Sequence, residues 1–250
     1  MKRRFIFPVA CLFFLACNKS SSDKPADNPS IFPTAAETKP AYNNTSFGVY
    51  KGVIVGSSGT IIFRVNNGDN IIKGYLSVDD KKDTLSTSET IQAGEAIHNV
   101  LFQGSISSMR VSANADGSNA ALTEIQINGH QNVTGFIRHE NADQQIYCYE
   151  GTFTGTASGI ITATRQGMNN NNDSAFFLIK VTSVNDTSLY RGFDGVRQDS
   201  TLVYVYNYPE ITPAFTIHGI FNMGDFNPNT LNGTWSGKYG EGQFTTHRTW

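Results

Sequence analysis

The sequence predicts an all-β protein: two tandem antiparallel β-sandwich or partly open β-barrel modules after a disordered tether. The first observation behind this is a motif at 149–159, Tyr149-Glu-Gly-Thr-Phe-Thr-Gly-Thr-Ala-Ser-Gly159. It is echoed at Tyr50-Lys-Gly-Val-Ile-Val-Gly-Ser-Ser-Gly59 and more loosely at Leu231-Asn-Gly-Thr-Trp-Ser-Gly237. At every second position these stretches read large apolar, Gly, large apolar, Gly, and a period of two places those residues on one face of a strand. The second observation is composition. Gly, Asn, Ser and Thr interrupt short apolar runs, as expected of many strands joined by tight turns. The third is order: the strand and turn signals that follow Tyr50 return after Tyr149, 99 residues later, which reads as an internal duplication.

The chain begins with a basic Lys2-Arg3-Arg4 and an apolar stretch over 5–16 that is too short to span a bilayer. This stretch ends Phe14-Leu15-Ala16-Cys17 and turns abruptly polar at Asn18-Lys19-Ser20. Residues 1–17 resemble a bacterial lipoprotein signal peptide, although Phe14 stands where Leu is usual. The resemblance implies that Cys17 is lipidated, palmitate included, and becomes the new N-terminus. Several acyl chains give stable membrane anchoring. Asn18, where Asp would favour inner-membrane retention, points to the outer membrane of the cell envelope.

Residues 18–42 are rich in Ser, Lys and Asp, with prolines at 25, 29, 33 and 40. Such a segment buries too little apolar surface to order itself and is expected to be a flexible tether. About 25 residues of coil span roughly 25–30 Å.

Module 1 is expected over 43–145 and module 2 over 146–250. In the first, strands at 49–55 and 60–65 flank the turn at 56–59, and Asn66-Asn-Gly68 supplies the next turn because Asn and Gly tolerate positive φ. Strands follow at 71–78, 84–87, 100–103, 106–113, 121–127 and 135–139, with a hairpin turn at Asn114-Ala-Asp116-Gly117-Ser118. In the second, 149–154 and 160–164 flank 155–159, and 175–182 answers 71–78. The copy at 231–237, with Trp235, closes the second module against its opening strands. Glycine between two large residues weakens a strand, so its presence calls for a neighbouring ring or backbone that must come close, or for a sheet that bends to close. The positions between the glycines are polar in the second and third copies, Glu150, Thr152, Thr154 and Asn232, Thr234, Ser236. In the first they are Lys51, Val53 and Val55, so that strand is expected to be covered on both faces.

Residues 43–250 resemble bacterial surface lipoproteins that carry a Ser-rich spacer and Tyr-x-Gly-x-x-x-Gly-x-x-(x)-Ser-Gly β-repeats. The motif specifies turns and packing, so the resemblance implies no catalytic or binding residues.

A formal net charge of -2 and 16% charged residues leave no basic field for nucleic acid, which is excluded as a partner. Apart from Cys11 and Cys17 the only cysteine is Cys148, so no internal disulfide framework is possible. None of the five histidines has metal-ligand spacing, and there is no Cys-x-x-Cys, so neither a metal nor another cofactor is expected. His139 beside Glu140, and His247 beside Arg248, read as exposed strand ends. Cys148 reads as a small semi-buried hydrophobe rather than a nucleophile. Tyr204, Tyr206 and Tyr208 line one strand face. Such a ladder stacks on sugars or anchors a protein partner, or else is a cross-strand aromatic cluster, and the cluster is the more frequent outcome. With Trp235 they form the candidate binding set.

The sequence therefore points first to a lipid-anchored envelope protein that binds a glycan or a protein partner. A second reading is a surface hydrolase with Glu150 and Glu210 as the obvious carboxylates and Glu124 and Asp225 in reserve. A third is a carrier of small apolar ligands in an open barrel, which requires an apolar cavity of several hundred Å³, on the order of known ligand pockets.

Overall fold

The structure, a computed structural model, describes residues 32–56, 59–166, 174–182, 189–192, 196–198, 201–203, 215–220, 229–237 and 240–250. After a short 3-10 turn at Pro40–Tyr42 every regular element described is a strand, so the fold is all-β. In the first sheet β1 spans Gly48–Val55, β2 Gly59–Val65, β3 Ile72–Val78 and β4 Lys81–Ser86. It continues with β5 (Ile97–Gln103), β6 (Ser107–Ala113), β7 (Ala121–Ile127) and β8 (Thr134–His139). The second sheet holds β9 (Ile146–Gly155), β10 (Gly159–Gln166), β11 (Ser174–Val181), β12 (Leu189–Gly192) and β13 (Val196–Gln198). Its remaining strands are β14 (Thr201–Val203), β15 (Phe215–Ile220), β16 (Gly233–Gly237) and β17 (Gly240–Arg248).

Both sheets are up-and-down meanders whose first strand pairs with their last. The first has the order β7-β6-β5-β4-β3-β2-β1-β8 and curls into a nearly closed eight-stranded barrel. The second has the order β12-β11-β10-β9-β17-β16-β15-β14-β13, and β11-β10-β9-β17-β16 form a curled half-barrel within it. Within each sheet consecutive strands are hydrogen-bonded neighbours, except β7 and β8 in the first and β12 and β13 in the second.

The repeated glycines sit at the joints where each meander closes on itself. Gly52 on β1 lies opposite Ile137 of β8, and a Cβ there would fall 1.9 Å from the Phe136 carbonyl oxygen. Gly151 on β9 lies opposite Thr246 of β17, and its Cβ would fall 2.0 Å from the Thr245 carbonyl oxygen. Their large neighbours point into the sheets' interiors. Tyr50 and Ile54 join Phe63 and Phe102 in the barrel core, whose rings meet edge-on at 4.8 Å. Tyr149 and Phe153 join Trp235 and Phe244 in the second core. The barrel interior is filled by these side chains, consistent with an eight-stranded barrel being just wide enough for them.

A third apolar cluster joins the two sheets. Val53 and Val55, on the outer face of β1, pack with Ile146, Cys148, Phe176 and Leu178. Phe136 of β8 stacks on Phe176 with ring centroids 3.7 Å apart. Strand β1 is buried at every residue, as the apolar outward positions of its motif copy predict.

Lys51 is the polar member of that outer face, and its side chain is 0% exposed. Its ammonium lies 2.6 Å from Glu140 Oε1 and 3.1 Å from Glu37 Oε2. Glu140 is equally buried. Its Oε1 accepts the Ile146 N–H at 2.9 Å, while Oε2 accepts the N–H groups of Glu37 at 2.6 Å and Thr38 at 3.3 Å. Glu37 also accepts from Arg64 and from Trp250 Nε1 at 3.0 Å. One buried ammonium and two carboxylates thus hold β1, the segment before it, the β8–β9 connection and Trp250 together.

The compact unit accordingly runs Phe32–Trp250 and includes residues 32–42, which composition assigns to the tether. The Pro33 carbonyl accepts from Gln145 Nε2 at 2.7 Å and Arg248 Nη2 at 2.8 Å, and the Arg248 guanidinium lies over the Phe32 ring. Docking of this segment relies on backbone carbonyls and polar side chains, which look disorder-prone when read as composition.

Removing one partner of a buried pair leaves an uncompensated charge, so Glu140→Ala is expected to lower stability by about 3–5 kcal/mol in urea unfolding. Glu124→Ala, at the exposed Arg110–Glu124 pair, should change it by less than about 1 kcal/mol.

Candidate functional site

Of the residues the sequence nominates for binding, Tyr204, Tyr206 and Tyr208 lie outside the described residues, as do Cys17, Glu210 and Asp225. Trp235 is described and is a core residue rather than a ligand platform. It is 1% exposed, meets Phe153 edge-on at 5.5 Å and donates its Nε1–H to the Thr154 carbonyl at 2.9 Å. The strand alternation that made it conspicuous turns it inward, where it packs against β9. Cys148 is fully buried, and burial pushes its thiol up to about 12, which removes it as a nucleophile.

The carboxylates that could serve a hydrolase are dispersed. Glu124 pairs with Arg110 in the barrel, and Glu150 lies 3.3 Å from His247 Nε2 in the second sheet. His247 is an exposed strand-end residue, as expected. His139, Glu140 and Arg248 are not. His139 is half-buried and the other two are buried, because the closing strands β8 and β17 end beneath the docked segment at 32–39.

An accessible feature among the described residues is the interruption of the barrel ring. Strands β7 and β8 lie side by side without being hydrogen-bonded to each other. At one end Leu122 and Ile125 of β7 cover Gly135 of β8, their Cδ1 atoms 2.9 and 3.1 Å from where a Cβ would sit. At the other end, between β8 and the turn that precedes β7, lies a cleft of about 420 Å³. One wall is the turn at Asp116–Ala120, another is β8 from Phe136 to His139, and Asn43, Asn44, Asn141 and, from β10 of the second sheet, Gln166 supply amides around the rim.

The turn is built as its sequence implies. Asn114 N–H donates to the Ser118 carbonyl and Gly117 N–H to the Asn114 carbonyl, both at 2.9 Å. Ser118 donates its N–H and Oγ–H to Asp116 Oδ1 at 2.9 and 2.6 Å, which holds the exposed Asp116 carboxyl below its usual range and ionised. Gly117, at φ +82°, lets the turn press on β8, since a Cβ there would stand 2.8 Å from the His139 ring. Burial lowers the His139 pKa, so the ring is neutral near pH 7, and its Nε2–H donates to the Phe47 carbonyl at 2.8 Å. With Nε2 engaged and Nδ1 behind Gly117, the imidazole is not placed to shuttle protons. The cleft therefore offers amides, a hydroxyl, one carboxylate, the Arg138 guanidinium and strand backbone. It is equipped for hydrogen-bonded recognition.

Among the described residues no three His, Cys, Asp or Glu side chains cluster in a way that could hold a metal. No protein-family model, curated protein or solved structure matches the chain. The turn was legible in the sequence, but its role as a cleft wall was not, because pairing between β7 and β8 is the default for consecutive strands.

A second buried carboxylate acts on the barrel itself. Strands β4 and β5 pair only at Ser86↔Gln103. Asp83 of β4 accepts from Ser105 N–H and Ile106 N–H at 3.0 Å each, from Ser105 Oγ at 2.9 Å and from Ser107 Oγ at 2.7 Å, which supplements that single pair. Burial pushes its carboxyl up, but these bonds prevail and pull it to about 2.

A depressed folded-state value means that Asp83 adds stability above its unfolded pKa and loses it as pH falls through the folded one. Asp83→Asn is therefore expected to be less stable than wild type near neutral pH, with the gap narrowing as pH falls from 3.8 to about 2. Urea titrations across that range measure it.

Proposed function

We propose that the protein is a lipid-anchored bacterial envelope protein that binds a partner through the cleft at the barrel's open seam. The observation that carries this reading is the cleft itself: a polar opening of about 420 Å³ in a barrel whose interior is otherwise filled. The filled interior argues against a carrier of apolar ligands, which needs an apolar cavity of comparable size. Glu124 beside Arg110 and Glu150 beside His247, in different sheets, argue against a glycosidase pair facing across a cleft. The glycan reading leaned on the tyrosine ladder and Trp235, and Trp235 is core. A protein partner is the better fit. Membrane attachment rests on the lipoprotein-like segment ending at Cys17 and is consistent with an outer-membrane location.

Two measurements test the two halves of the proposal. Labelled palmitate should enter the wild-type chain and not Cys17→Ser, and equal labelling of the two contradicts anchoring. Asn44→Trp places an indole in the cleft mouth from an exposed position and should abolish ligand capture while leaving the melting temperature unchanged. Undiminished capture by that variant contradicts the cleft as the site.

A further inference from the structure

The cleft reading can be taken one step further, to the class of ligand, from the backbone of β8. In antiparallel pairs the N–H and C=O of successive residues point alternately toward one neighbour and then the other. Glu140, just beyond β8, donates its N–H to the Val49 carbonyl at 2.8 Å, which sets the phase of the pairing with β1. Arg138 and Phe136 therefore direct their backbone groups at Lys51 and Val53, whereas Ile137 and His139 direct theirs away from β1. Away from β1 lies the seam, where β8 has no strand partner among the described residues and where the cleft opens beside these same two residues. An unpaired strand edge of this kind is a template for another strand.

We propose that the cleft takes an extended peptide of a partner protein, added as a strand to β8 and carrying a lysine or arginine that faces Asp116. The inference rests on the cleft being the binding site. Two residues spaced by two along β8 present two donors and two acceptors, so a segment of about four residues makes up to about four backbone hydrogen bonds. The basic residue follows from charge. Asp116 is exposed at the cleft wall and has no ion-pair partner among the described residues, while the Arg138 guanidinium, which also lines the cleft, lies over the Phe136 ring. A sugar ligand fits less well, because such ligands stack on an open aromatic face. Phe136, at the cleft wall, is already stacked on Phe176, with the Arg138 guanidinium 5.3 Å from its centroid. Leu122 and Ile125 cover the other end of the seam, leaving only a short stretch of the edge open.

The test uses the full chain in detergent, a displayed library of random heptapeptides and a glycan array. The expected result is recovery of peptides enriched in Lys or Arg whose binding is lost in Asn44→Trp. N-methylation of peptide amides in one alternating register should weaken binding at least about tenfold, and in the other register much less. Bound peptide should slow amide exchange at Ile137 and His139, and Asp116→Asn should weaken binding about threefold. Peptides that bind equally well after N-methylation in either register, or an Asn44→Trp-sensitive glycan in their place, overturn strand addition while leaving the cleft as the site. If neither collection yields a ligand sensitive to Asn44→Trp, both the cleft reading and the peptide inference fall.

Discussion

The buried ammonium of Lys51 is the constraint on which the arrangement depends. A charge at zero exposure persists only if it is paired and hydrogen-bonded on all sides. Here the partners come from the segment before β1 and from the β8–β9 connection, with Arg64 and Trp250 steadying the second carboxylate. Meeting that requirement forces three things at once. The segment at 32–39 must dock, β8 must finish beside β1 so that Glu140 reaches in, and the first strand of the second sheet must begin where Ile146 N–H can donate to Glu140. The valines next to Lys51 add burial on the same face, each contributing on the order of 1.5–3 kcal/mol.

Closure of the barrel at β1–β8 has a consequence elsewhere in the ring. Glycine at 52 removes the side chain that would collide with the Phe136 carbonyl, so the first and last strands can meet. With β8 committed to β1 and to the junction, its other edge is left to β7, which reaches it through Leu122 and Ile125 rather than through backbone bonds. The cleft is thus a by-product of how the junction holds β8. Its turn wall is placed by a second glycine, Gly117, whose missing side chain lets the Asp116 loop lie against His139. Structure at the junction and chemistry at the seam are linked through one strand.

Strand periodicity made much of the fold legible, because a period of two is written directly into residues such as Tyr50, Gly52 and Ile54. The same alternation announced that β1 would be covered twice, since Lys51, Val53 and Val55 replace the polar set found at Glu150, Thr152 and Thr154. It also marked Gly117 and Asp116 as a turn. What it could not convey was long-range pairing. Glu140 looks like an ordinary strand-end acid until Lys51, 89 residues away, is placed beside it. Residues 32–42 look like tether because Pro33, Glu37 and Thr38 dock through a carbonyl, a carboxylate and backbone N–H groups. The motif reads Trp235 both as a closing residue and as a binding candidate, and its indole N–H, donated to the Thr154 carbonyl of β9, serves the first role. The seam was invisible for the same reason, since local pattern says where strands are and not which neighbours fail to pair.

The central claim is that β1 and the Lys51 network fuse the two sheets into one cooperative unit. Calorimetry of the full chain, compared with urea unfolding followed by tryptophan fluorescence and by backbone circular dichroism, tests it most directly. Trp235 reports the second sheet and Trp250 the junction, while the circular dichroism reports all strands. The account predicts one transition, coincident in both probes, with calorimetric and van't Hoff enthalpies in agreement. Two separated transitions, with the barrel and the second sheet melting independently, would contradict it.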